Sequence, residues 1–339
     1  MSKTTSTTLL NRYLILSLFQ SNSPRFPRSA HPGGSFFLIL SKEDYPKNIL
    51  TIDNQIKQLK QRGLVIEDDN LAKQYLKNIS YFRLQGFWWE LQADKKKHLF
   101  KKGTTFETVV SLYTFDRKLR LLIFDAIERI EVALRTKMIY YISIENNNWW
   151  WYENKNLFFN MDFFEESIKD IDKELNRSKE VFIETHFENY GSQDRPPCYK
   201  TFEILSLGTL SKIYGNLKND LDCKKRLAIE FDLPNENFLK SWMNSFNVVR
   251  NICAHHSRLW NRNIHIPPKQ LSKPNSNFIL IPNNDMSVYY SLSCIIYILN
   301  KVSPGHTTKE SLVSLFNNNP DRLAEMGFSE NWRNQLLWA

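Results

Sequence analysis

Arg250, Asn251 and His255 place a guanidinium, an amide and an imidazole within six consecutive residues. A histidine exchanges protons near neutral pH, and arginines nearby would lower its pKa and bind a phosphate. RNA carries its own nucleophile, the 2′-hydroxyl. Its cleavage needs only a base, an acid and cationic stabilisation of a pentavalent phosphorus. No cofactor and no metal are expected: His255 and His256 are adjacent rather than four apart, and no carboxylate lies close in sequence. From Asn237 through Asn284 there is no acidic residue, against Lys240, Arg250, Arg258, Arg262, Lys269 and Lys273. So basic a stretch suits a polyanion such as nucleic acid, although a solvated basic face has the same composition. The bare arginine–histidine spacing is a weak motif, because it recurs at Arg25 with His31 and at Arg258 with His265. Its weight comes from its setting.

That setting is a predicted helix over residues 237–261, with Pro267 and Pro268 blocking any continuation. At about 100° per residue, Trp242, Phe246, Val249, Cys253 and Trp260 form an apolar arc. Asn251, His255, Arg258 and Arg262 fall on roughly the opposite face. His256 lies at the edge of the apolar arc and reads as a packed histidine, which leaves His255 as the proton carrier. Arg250 stands about 140° from His255, so its side chain must wrap round or the helix must distort. The partner of this helix is the strongest helical pattern in the chain, residues 106–142. Its core positions are Leu112, Phe115, Leu119, Leu122, Ala126, Ile130 and Ala133. The two helices are expected to pack through Leu119, Ile130, Phe246 and Val249. Glu128, Glu131 and Arg135 form a polar stripe that supports Arg250 or His255, contacts RNA, or pairs within its own helix.

Further helices are expected over residues 53–62, 69–79, 163–187, 201–217, 224–230, 287–302 and 308–316, with an aromatic segment at 81–89. Trp149, Trp150 and Trp151 sit in a connection and are expected to dock onto the core rather than stack on bases. Aromatics at 14% with only 10 glycines and 13 prolines favour an all-α fold. No apolar run reaches the roughly 18 residues of a membrane span. The short apolar patch at residues 13–19 lacks the flanks of a secretory signal. Cys198, Cys223, Cys253 and Cys294 show no paired spacing, which suits a reducing cytoplasm. Residues 1–45 read as a disordered basic tail.

Arg250-Asn-Ile-Cys-Ala-His-His-Ser-Arg-Leu-Trp-Asn261 resembles the signature of the Abi-like proteins (the AbiD/AbiF group), a branch of the HEPN superfamily. Three other segments are similar to that family in the same order: Tyr75-Leu-Lys-Asn-Ile-Ser-Tyr-Phe-Arg-Leu-Gln-Gly-Phe-Trp-Trp89, Phe124-Asp-Ala-Ile-Glu-Arg-Ile-Glu-Val-Ala-Leu-Arg135 and Met326-Gly-Phe-Ser-Glu-Asn-Trp332. The resemblance implies an all-α, HEPN-type helical bundle over residues 104–305. An N-terminal helical region (46–103) and a small C-terminal helical segment (306–339) flank it. It further implies metal-independent endoribonuclease activity through Arg250, Asn251 and His255, and phage defence by arrest of the infected cell. RNA is the implied partner, as substrate and as a structured noncoding RNA, with Arg258, Arg262 and His256 as contacts. Two motifs meeting across a homodimer are implied as well. A non-catalytic RNA-binding module fits the same cations. A protein that merely dimerises through aromatic helices leaves the acid-free stretch unexplained.

Overall fold

The structure is a computed structural model that describes residues 48–191, 194–271, 278–279 and 284–339. The tail expected over residues 1–45 lies outside the described residues. The chain divides into two compact units, one ending at Ser111 and one starting at Leu112.

In the first unit, helices start where side chains cap them. Thr51 accepts the N–H of Asn54 (3.3 Å) at the head of α1 (Ile52–Gln61). Asp68 accepts those of Asn70 and Leu71 (2.8 and 3.0 Å) at the head of α2 (Asp69–Ile79). The aromatic segment is a helix, α3 (Tyr81–Trp88), which buries Leu84, Phe87 and Trp88. A small antiparallel hairpin follows, β1 (Gln92–Asp94) with β2 (Leu99–Phe100), Gln92 opposite Phe100. Asp94 closes its turn by accepting from Lys96 and Lys97 (2.9 and 3.0 Å). Apart from this hairpin the regular elements of the described residues are helical, and the chain is all-α.

The spine of the second unit is α4 (Phe106–Asn146), which begins in the first. Its buried stripe is Leu112, Phe115, Leu119, Ile123, Ala126, Ile127, Ile130, Leu134, Met138 and Ile142. Leu122 and Ala133, read as core positions, are only half-buried. A stripe stepping by threes and fours offers two adjacent candidates per turn, and here Ile123 and Leu134 take the inner place. The helix predicted over 163–187 is two, α5 (Met161–Arg177) and α6 (Val181–Tyr190). Ser178 leaves helical geometry with ψ 139° and its Oγ takes the N–H of Glu180 (3.2 Å). The side chain thus offers the backbone an alternative to the helix. The segment predicted over 201–217 is likewise divided, into α7 (Cys198–Thr201) and α8 (Leu207–Asn216), the latter capped by Ser206.

After α9 (Asp222–Glu230) comes α10 (Glu236–Ala254), which packs against α8, α9 and α11 (Val288–Val302). α11 is buried on every side from Val288 to Leu299, as an all-round apolar helix must be. Past α12 (Thr308–Asn317), the rings of Phe316, Phe328, Trp332 and Trp338 cluster with Tyr289 of α11. Gly327 lets that segment seat, because its φ is 88° and a Cβ there would fall 2.6 Å from Ser287 Cβ. Of the three adjacent tryptophans, Trp151 is fully buried against Phe202, while Trp149 and Trp150 stay partly exposed. The four cysteines are free and buried. Among the described residues no helix is long and apolar enough to cross a membrane.

Candidate functional site

Asn235 starts α10 by accepting the N–H of Asn237 (3.1 Å). The helix buries Trp242, Phe246, Val249 and Cys253, as its spacing predicts. A second row, Lys240, Asn244 and Asn247, runs against small residues of α8. Ser211 Oγ donates to Asn244 Oδ1 (2.7 Å), and a Cβ on Gly208 would stand 3.2 Å from the Asn247 amide. Asn251 is the next residue along that row, so this seam sets the rotation at which α10 presents it.

The helix stops at Ala254 instead of running to Asn261. His255 is its C-cap (φ −86°, ψ 11°), and His256 adopts the left-handed conformation (φ 55°). Ser257 N–H bonds Ile252 O (3.0 Å) and His256 N–H bonds Cys253 O (3.1 Å). These are the two closing bonds of a Schellman motif, with histidine where glycine is usual. The helical wheel therefore fails beyond His255. Arg258 and Arg262 lie on the loop that follows rather than on a helix face, and Trp260 is buried from that loop. His256 was expected at the edge of the core, yet the left-handed turn carries it outward, and both histidines are exposed.

Arg250 Nη1 lies 3.5 Å from Asn251 Oδ1, so the first two residues of the motif touch. The Arg250 guanidinium sits over the Phe124 ring of α4, 5.7 Å from its centre. The two long helices therefore meet here, and Leu119, Ile130, Phe246 and Val249 are all buried. Phe124, Glu128, Glu131, Val132, Arg135 and Arg250 line a cavity of about 190 Å³. Within it Arg135 pairs with Glu131 (3.1 Å) and donates to Leu205 O (3.0 Å). Burial pushes the Glu131 carboxyl up, opposed by Arg135, by Arg250 and by the N–H of Leu207. The pairing within α4 is thus real, and the charge of Arg250 acts on the same carboxylate. His255 does not line this cavity.

One residue that sequence reasoning missed is Asp116. Its Oδ1 accepts the N–H groups of Leu259 (2.8 Å) and Trp260 (2.7 Å), and its Oδ2 accepts from Arg120 Nε (2.9 Å). Asp116 is wholly buried. Burial pushes its carboxyl up, against the pull of Trp260 N–H and Arg120. The signal was a charged pair four apart, Asp116 and Arg120, each directly following a core residue of α4, Phe115 and Leu119. Around Trp260, Arg258 stacks on the indole (5.9 Å), Arg262 donates to Arg258 O (3.2 Å), and the indole N–H donates to Arg322 O (3.1 Å). Arg322 itself lies over Phe115, a third guanidinium that was not anticipated. Burial, with Arg258 beside it, lowers the Arg262 pKa. The stretch that is acid-free in sequence is not acid-free in space, since α4 brings Asp116, Glu128 and Glu131 to it.

Among the described residues no three His, Cys, Asp or Glu side chains group so as to hold a metal ion. A family model described as Abi-like protein matches residues 74–261, more than half of the chain. That span contains α10 and the loop after it. Neither the curated proteins nor the solved structures yielded a match.

Proposed function

The chain belongs to the Abi-like protein family, and from that premise we propose that it is a metal-independent endoribonuclease of a phage-defence system, acting in the cytoplasm to arrest the infected cell. The observation that carries this reading is the placement of Arg250, Asn251 and His255 at the last turn of a buried helix, Arg250 touching Asn251 and His255 exposed. The 2′-oxygen forms a bond to phosphorus as the bond to the 5′-oxygen breaks. One proton leaves the 2′-hydroxyl and one reaches the departing oxygen. The products are a 2′,3′-cyclic phosphate and a 5′-hydroxyl. His255 carries one of these protons, Arg250 stabilises the phosphorane, and Asn251 orients Arg250.

One histidine per motif supports a homodimer of HEPN-type bundles (residues 104–305) in which two motifs share a cleft about a two-fold axis. Val132, exposed and lining the cavity of Arg250, and Leu121, exposed on the same helix, favour such a contact. Arg258, Arg262 and His256 hold the RNA backbone, and a structured noncoding RNA is a second ligand of the same face. One observation favours the other reading, a non-catalytic RNA-binding module. Glu128 and Glu131 share the cavity of Arg250 and offset the charge it would bring to a phosphorane, while Arg258 lies outside that cavity, on the loop.

The test is cleavage of single-stranded RNA in EDTA by the wild type and by His255→Ala, with circular dichroism to establish folding. Loss of about 10²- to 10⁴-fold in rate is expected, the usual worth of one acid–base group. Products with 3′-hydroxyl ends, or activity lost in EDTA and restored by a divalent ion, overturn the mechanism. Full phage protection by a folded His255→Ala establishes the binding module instead.

A further inference from the structure

We propose that Asp116 is the positioning residue of the motif, clamping the segment after His255 onto α4 so that the histidine is held where it meets RNA; this rests on the ribonuclease reading. Burying a carboxylate is expensive unless its lone pairs are filled. A pair with Arg120 forms on any exposed helix face at little cost, so a pair alone gives no reason for full burial. What burial adds is the second ligand set, two consecutive backbone N–H groups on the single atom Oδ1. They come from residues four and five beyond His255.

The turn is thereby anchored at both ends, by α10 at Ala254 and by Asp116 at Leu259. Between the anchors His256 holds a left-handed backbone. Such a conformation persists where its surroundings over-determine it, and it commonly marks a functional site. The Schellman bonds hold the chain only as far as Ser257, and the clamp holds it beyond, at Leu259 and Trp260. The same carboxylate also seats Trp260, against which Arg258 stacks. One buried group on α4 thus sets both the acid–base residue and the cationic loop.

Removing Asp116 alone strands Arg120 and risks unfolding, so the pair is changed together. In Asp116→Ala/Arg120→Met the acceptor is gone and no charge is left buried. In Asp116→Asn/Arg120→Gln an amide oxygen remains to take both N–H groups. Single-turnover RNA cleavage and RNA Kd are measured for each, beside thermal unfolding. The apolar pair is expected to cleave about 10- to 100-fold more slowly, the size of effect a misplaced group has, with Kd within threefold of wild type. The amide pair is expected to recover to within threefold of the wild-type rate. A folded apolar pair that cleaves at the wild-type rate overturns the proposal, as does equal loss in both pairs. Should wild type cleave no RNA, the ribonuclease reading fails separately. Amide hydrogen exchange at Leu259 and Trp260 then decides the clamp: at least tenfold faster in the apolar pair than in the amide pair supports it, and equal rates overturn it.

Discussion

At the scale of single residues, two adjacent histidines have different backbones. His255 (φ −86°, ψ 11°) caps the end of α10, whereas His256 has φ 55° and turns the chain away. A side chain at φ > 0 brings Cβ close to the carbonyl oxygen, a cost glycine does not incur. Comparing two variants that both lack the imidazole isolates that cost. His256→Gly should unfold in urea with about 1 kcal/mol more stability than His256→Ala. Equal stabilities would mean that the turn is not closed as described. His255→Ala, by contrast, should leave stability nearly unchanged while removing catalysis, since the ring is exposed.

At the scale of elements, each helix end needs partners for its last carbonyls, and α8 obtains one from a neighbour. Lys224 of α9 is buried and donates to Leu217 O, at the C-cap of α8, and to Asn219 Oδ1 (2.8 Å). Burial pulls its pKa down to about 8, helped by Lys240 nearby. The ordinary value is 10.5. Below pH 8 the ammonium is charged in both states and the burial penalty is felt in full. Between 8 and 10.5 the folded state gives up the proton while the unfolded chain keeps it, so stability rises with pH. Above 10.5 the penalty is gone. The stability of wild type relative to Lys224→Met should therefore increase by roughly 3 kcal/mol from pH 7 to pH 10.5. Urea unfolding of both proteins across that range measures it, and a difference that stays flat contradicts it. Taking the difference cancels cysteines and tyrosines that titrate in the same window.

At the scale of the whole molecule, the outer side of α4 is an open surface among the described residues. Phe124, Val132, Tyr140 and Ile144 are exposed along one ridge, with Glu128 and Thr136 between them and Leu121 beside it, while the inner side of the helix is core. The proposed homodimer would bury exposed apolar residues of this side against a second copy. Leu121→Glu/Val132→Glu should shift sedimentation from dimer to monomer at micromolar concentration and lower RNA cleavage more than tenfold, with the helical spectrum retained. A wild-type protein that sediments as a monomer at that concentration and is fully active would remove the assembly from the mechanism.

The all-α class, most of the helices and the buried stripes of α4 and α10 were legible in the residues, because apolar periodicity is local and survives without a partner. So was the contact of Arg250 with Asn251, neighbours in sequence, whereas His255 does not line the cavity of Arg250. The hairpin at β1 and β2 was not, since strands of three and two residues are too short to show an alternation. Nor was the end of α10. Residues 255–262 contain no glycine or proline and continue the helical spacing, so local preference alone prolongs the helix. It ends in a Schellman turn at His256, and beyond that turn a carboxylate 143 and 144 residues earlier takes the N–H groups of Leu259 and Trp260. The same holds for the carboxylates that α4 sets around Arg250. Residue types and their spacing by themselves determined which groups can do chemistry; which way each points was decided by hydrogen bonds between distant parts of the chain, because a few such bonds outweigh the small differences between neighbouring local conformations.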